Sequence, residues 1–173
     1  SPIIVSNKAL LNSNYLAGEE VKVVIVQPNY EPHEEKFKIP QYKQLQEVEA
    51  LLQPVWSTEP DLIVFPETFI TDWIWESRLE TSPAVLRMKS WLSEHPTIQI
   101  LTGASTGKVL TDKDAHKPTA RISRNGTVYE VFNAALLISK QQETQVFHKS
   151  KLVPGAEMTP FSSLLKPIFD KFP

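Results

Sequence analysis

The chain has 173 residues, enough for one domain with a core of its own. Its net charge is −2, from 18 basic and 20 acidic residues that are scattered rather than blocked, so there is no basic stripe to suggest nucleic acid as a partner. There is no cysteine, the four histidines (His33, His95, His116, His148) stand far apart, and no apolar run approaches the roughly 20 residues of a membrane span; disulfides, a thiol nucleophile within these residues and a metal site are all unexpected.

Residues 1–20 are polar and irregular, and read as an arm or edge strand ahead of a domain over 21–173. Val21 to Val26 is a predicted strand, ended by Gln27-Pro28-Asn29. Residues 30–40 carry two prolines and five charged residues, and read as a loop. From 41 to 53, Leu45, Val48, Leu51 and Leu52 recur at helical spacing, with Pro54 expected to end or kink that helix.

Leu62-Ile-Val-Phe65 is a short apolar run bounded by Pro60 and Pro66, as in a strand buried on both faces. Glu67 stands just past its carboxyl end, where α/β proteins tend to place their chemistry. A second helix is predicted over 83–94. Ser82 is a candidate cap, Pro83 suits the first turn, and Val85, Met88 and Leu92 share a face. Another strand follows at Ile98–Gly103. The order β, α, β, α, β argues for an α/β sheet.

The second half is strand-rich. Ala120–Ser123 and Val128–Phe132 flank Asn125-Gly126, which predicts a hairpin with a type I′ turn. Ala134–Ser139 and Thr144–Lys149 read as another pair around the polar turn Lys140–Glu143. If the last of these strands neighbours Leu62–Phe65, Lys149 and Glu67 meet at adjoining strand ends. Burial raises the pKa of a glutamate and a nearby ammonium lowers it again, which suits a general base beside an oxyanion-stabilising lysine. The plainer alternative is two exposed strand-end charges of little consequence.

Five segments together resemble a known family: VVIVQPN (Val23–Asn29), LIVFPET (Leu62–Thr68), LTG (Leu101–Gly103), FNAALLIS (Phe132–Ser139) and HKSKLVPGAEMTPFSSLLKP (His148–Pro167). They are similar to the nitrilase, or carbon–nitrogen hydrolase, superfamily and, within it, to the apolipoprotein N-acyltransferases. The resemblance implies a four-layer αββα sandwich, incomplete in this chain. It implies Glu67 as general base, Lys149 as oxyanion stabiliser and Glu157 as a supporting second glutamate. Around Glu157 the chain reads Leu-Val-Pro-Gly-Ala-Glu, which departs from the family's Leu-Val-Pro-Phe-Gly-Glu but keeps the spacing to Lys149. Phe37 falls where the family often has a functional tryptophan.

The resemblance further implies a phospholipid acyl donor, an apolipoprotein acceptor and a bacterial inner-membrane enzyme with this domain in the periplasm. Its membrane segments would lie outside this chain, and no cofactor is involved. Trp73 and Trp75, soon after Glu67, are candidates for substrate contact, since aromatic side chains suit membrane interfaces; packing under a loop is the other reading. The apolar spacing of Phe161, Leu164, Leu165, Ile168 and Phe169 allows either core packing or a membrane-facing helix. The family's cysteine nucleophile is missing. The chain therefore reads as the N-terminal part of the catalytic domain, expected to be inactive in acyl transfer by itself. Two alternatives stand beside this one. A soluble amidase of the superfamily would share Glu67 and Lys149, and a non-catalytic binding domain would keep the fold without the nucleophile.

Overall fold

The computed structural model describes residues 20–30, 38–111, 113–114, 116–117 and 119–150. Among the described residues the fold is α/β, a seven-stranded mixed sheet with helices packed on one face. The strands are β1 (Val23–Ile25), β2 (Leu62–Val64), β3 (Ile70–Trp75), β4 (Gln99–Val109), β5 (Arg121–Ile122), β6 (Val128–Ile138) and β7 (Gln145–His148). The helices are α1 (Gln41–Trp56), a 3₁₀ helix (Glu76–Thr81) and α2 (Pro83–Trp91).

The order across the sheet is β1-β2-β4-β6-β5, with β3 also on β4 and β7 also on β6. β1, β2 and β4 run parallel, and β6 turns antiparallel on β4. β2 and β3 both run parallel to β4, on successive stretches of it: Val64 pairs with Leu101, and Ile70 with Ala104. They behave as one strand broken at Pro66–Phe69, opposite Gly103.

Alternation along the strands defines two faces. Ile63, Ile100, Ala104, Leu136 and Ile138 point to the helical side, where they meet Val48 and Leu52 of α1 and Val85 and Met88 of α2 in a single core. The α1 face differs by one residue from the predicted one. Leu45, Val48 and Leu52 are buried, while Leu51 is 54% exposed and Gln41 and Gln44 take its place at the interface. Gln41 is useful there, because its Oε1 accepts bonds from the Thr71 amide (2.6 Å) and hydroxyl (3.0 Å), tying α1 to the start of β3. Pro54 does not end α1, which runs two residues beyond it. α2 begins with Ser82 in the cap position and Pro83 at its first turn, but the Ser82 side chain makes no capping bond.

Two further expectations need correction. Ala134–Ser139 is not a separate strand, since β6 runs unbroken for 11 residues from Val128. The hairpin between β5 and β6 forms, but not with a type I′ turn. That type needs positive φ at both central residues, and only Gly126 (φ 83°) has it. The Gly126 amide instead bonds back to the Ser123 carbonyl at 3.0 Å, and the Asn125 side-chain oxygen accepts from the Thr127 amide at 3.3 Å. The N-terminal arm, the loop around Phe37, Glu157 and the apolar 161–172 segment lie outside the described residues.

Candidate active site

Glu67 owes its position to the break between β2 and β3. The Phe65 amide still bonds to the Leu101 carbonyl (2.8 Å), as a ladder bond would. Pro66 has no amide hydrogen to continue the ladder, and its carbonyl accepts from the Gly103 amide at 3.2 Å. The chain then rises over Gly103, where a Cβ would come within 2.7 Å of the Glu67 Cα and clash with the Thr68 nitrogen. Glycine is required there by close backbone approach. Thr68 takes φ 52°, a left-handed conformation uncommon for a β-branched residue, and the chain drops back into β3.

Lys149 follows β7, and its amide bonds to the Asn133 carbonyl at 2.8 Å. β7 does not neighbour β2, the condition on which the two strand ends were expected to meet; β4 and β6 lie between them. The two site residues meet nonetheless. Lys149 Nζ lies 3.3 Å from Glu67 Oε1, on the sheet face away from the helices. Asn133, in β6 between them, donates its Nδ2–H to the same carboxylate oxygen. Asn133 was not foreseen. The available signal was an amide side chain amid the apolar run Phe-Asn-Ala-Ala-Leu-Leu-Ile, since such groups need a partner when folded into a sheet.

Glu67, Asn133 and Lys149 open into a cavity of about 550 Å³ whose apolar wall includes Phe65, Leu101, Ala135 and Phe147. The Glu67 side chain is 63% exposed and that of Lys149 29%, so this carboxylate is wetter than the role expected of it calls for. What the arrangement provides is a carboxylate fixed in orientation by an amide donor, with an ammonium group on the same oxygen.

Trp73 and Trp75 share the site's sheet face. A Cβ on Gly107 would run into the Trp73 ring, just as one on Gly103 would run into Glu67, and residues four apart in a strand point the same way. The indoles lie roughly 13 Å along β4 from Glu67. There they pack edge-to-face with each other (5.6 Å between centroids) and with Tyr129 (6.2 and 5.3 Å). Trp73 remains 43% exposed. The structure thus brings Glu67 and Lys149 together and sets Trp73 and Trp75 apart as a second patch, while Phe37 and Glu157 fall outside the described residues.

Among the described residues there is no group of three His, Asp or Glu side chains arranged to hold a metal, and no helix long and apolar enough to cross a membrane.

No protein-family model matches the chain. Its sequence is 28% identical over 159 residues to apolipoprotein N-acyltransferase of Chlorobaculum tepidum, a match that covers 90% of this chain and 28% of that protein. The chain thus spans little more than a quarter of that relative's length. Among solved structures it resembles a CN-hydrolase superfamily protein of Xanthomonas campestris (TM-score 0.44, 17% identity, 81% of this chain and 44% of that one). It also resembles the glutamine-dependent NAD+ synthetase of Acinetobacter baumannii (TM-score 0.42, 20% identity, 81% and 23%). The chain is thus similar in sequence to an apolipoprotein N-acyltransferase, and in it Glu67 and Lys149 are in contact.

Proposed function

We propose that this chain supplies the base and the oxyanion-stabilising cation of an N-acyltransferase. The enzyme would move an acyl chain from a phospholipid to the α-amine of a diacylglyceryl-cysteine lipoprotein, in the bacterial inner membrane with this domain in the periplasm. The contact between Lys149 and Glu67 at 3.3 Å carries the reading, in a chain whose sequence matches such an enzyme over 90% of its length.

In this mechanism the thiol belongs to a cysteine outside these residues. Glu67 takes the thiol proton, and the sulfur attacks the acyl ester carbonyl, forming the C–S bond as the carbonyl electron pair moves onto oxygen. The Lys149 ammonium stabilises that oxyanion. Collapse breaks the ester C–O bond, and the leaving alkoxide recovers the proton from Glu67. The lipoprotein amine then attacks the thioester and gives its proton to Glu67. The C–S bond breaks, the thiolate takes that proton back, and the amide is released with Glu67 ionised as at the start.

Asn133 keeps the carboxylate facing Lys149 throughout. Glu157 is assigned a supporting role, and Phe37, Trp73 and Trp75 contacts with the apolar parts of the substrates.

The test uses the full-length protein with Glu67→Gln or Lys149→Met, following acyl transfer from phospholipid to a diacylglyceryl-cysteine peptide. Each substitution is expected to reduce transfer about 10²–10⁴-fold, the span of a lost acid–base or charge-stabilising group. Undiminished transfer overturns the proposal. Glu67-dependent hydrolysis of a small amide without acyl transfer would make the protein an amidase, and absence of both activities would make it a binding domain.

A further inference from the structure

On the helical face of the sheet, behind Lys149, a second carboxylate, Glu76, gathers its own polar contacts. Alternation along β7 sends His148 to that face, in register with the buried Ala134, while Lys149 emerges on the other. His148 Nε2 sits 2.5 Å from Glu76 Oε1, the first residue of the 3₁₀ helix. The same oxygen accepts a bond from the Thr106 hydroxyl of β4 at 3.0 Å. The imidazole lies flat on the Phe132 ring of β6, with 3.7 Å between centroids and 5° between planes. The Glu76 side chain is only 14% exposed. Three elements therefore close on one carboxylate oxygen, with the ring clamped from a fourth.

β7 has four residues and His148 is its last. Among the described residues, the ladder continues beyond it through the Lys149 amide on the Asn133 carbonyl, at 2.8 Å. Short strand ends fray, and a lysine on a frayed end samples many positions. We propose that Glu76 and His148 are positioning residues. They latch the end of β7 to the 3₁₀ helix and so hold the Lys149 side chain at Glu67. This rests on the reading of Glu67 and Lys149 as a working pair, and it assigns a role to two residues of the opposite sheet face that touch neither substrate nor reacting atoms.

The experiment measures acetylation of Lys149 Nζ by limiting acetic anhydride, followed by mass spectrometry, on the full-length protein. In the parent chain Glu67→Gln should speed labelling about tenfold, within the coupling seen between contacting residues. In a His148→Ala background, Lys149 should already label quickly, and adding Glu67→Gln should change the rate less than about twofold. His148→Gln, which keeps an Nε2–H donor, should restore slow labelling. A merely structural histidine would lower the melting temperature and leave the tenfold Glu67 effect intact, which overturns the proposal. If Glu67→Gln has no effect even in the parent chain, it is the working pair itself that fails. Should His148→Ala not fold, Glu76→Ala replaces it with the same expectation. Should neither fold, nitrogen NMR of the parent chain decides: a protonated, hydrogen-bonded His148 Nε2 supports the latch, and an Nε2 without a proton overturns it.

Discussion

Glu80 shows how one carboxylate can staple a hairpin. It accepts a bond from Lys89 Nζ (2.5 Å) and from the Thr144 amide (2.6 Å), while the same ammonium reaches the Gln142 carbonyl (3.0 Å). The turn between β6 and β7 is thereby pinned to the 3₁₀ helix and α2. Burial alone would raise the Glu80 pKa, but the bonds from Lys89 and Thr144 outweigh it and hold the carboxyl below its ordinary value of 4.5. A depressed folded-state pKa contributes stability above the unfolded value, and that contribution is lost as pH falls through the folded value. Glu80→Gln should therefore lower the urea midpoint at neutral pH. It should also flatten the decline of that midpoint below pH 4.5, read by far-UV circular dichroism across the acid range. With the side chain 44% exposed, solvent screening keeps the effect modest. At this scale sequence reasoning singled out Glu67 and Lys149, which are in contact, because both flank regular strands. It missed Asn133, Glu76 and His148, because their partners are 66 and 72 residues away and no local pattern announces such a pairing.

Periodicity did well wherever one face of an element is buried. It located both helices and the strands β1, β2 and β4, since an apolar stripe has only one stable placement against a sheet. It erred on α1 by counting Leu51 as core, because adjacent leucines at 51 and 52 cannot both face the sheet on a helix of 3.6 residues per turn. The difference is measurable. Leu52, fully buried, should lose about 2–5 kcal/mol on substitution by alanine, whereas Leu51→Ala should stay within about 0.5 kcal/mol, by equilibrium unfolding in urea. Equal losses would mean that the helix is rotated. β3 was not foreseen as a strand. Its sequence, Ile-Thr-Asp-Trp-Ile-Trp, mixes polar and aromatic residues, and its register on β4 shifts between Ile70 and Ile74. A bulged strand breaks the alternation by which strands are read.

Taken whole, the sheet is dressed unequally. The helical face is closed over a continuous core, while on the site face Val23 (48%), Ile25 (77%) and Phe147 (55%) are exposed. The α/β class followed from the order of elements. The meeting of Glu67 and Lys149 did not, because it depends on a sheet order in which β4 and β6 intervene and supply the glycine and the amide that let the pair close. No sequence interval encodes which strands will lie between two others.

The left-handed Thr68 bears on how the protein would respond to selection. A β-branched residue at φ 52° costs about 1–3 kcal/mol, a debt carried at the one turn that lifts Glu67 off the sheet. Asparagine tolerates that conformation far better, so Thr68→Asn should raise the urea midpoint by the equivalent of about 1 kcal/mol. An unchanged midpoint would mean that neighbouring contacts already compensate. A library enriched only for survival at high temperature would collect this replacement, along with others that relax the same turn. Thermal robustness and a rigidly presented carboxylate are then competing traits, and a breeder of hardier variants would find the easiest gains beside the residue on which the proposed function depends.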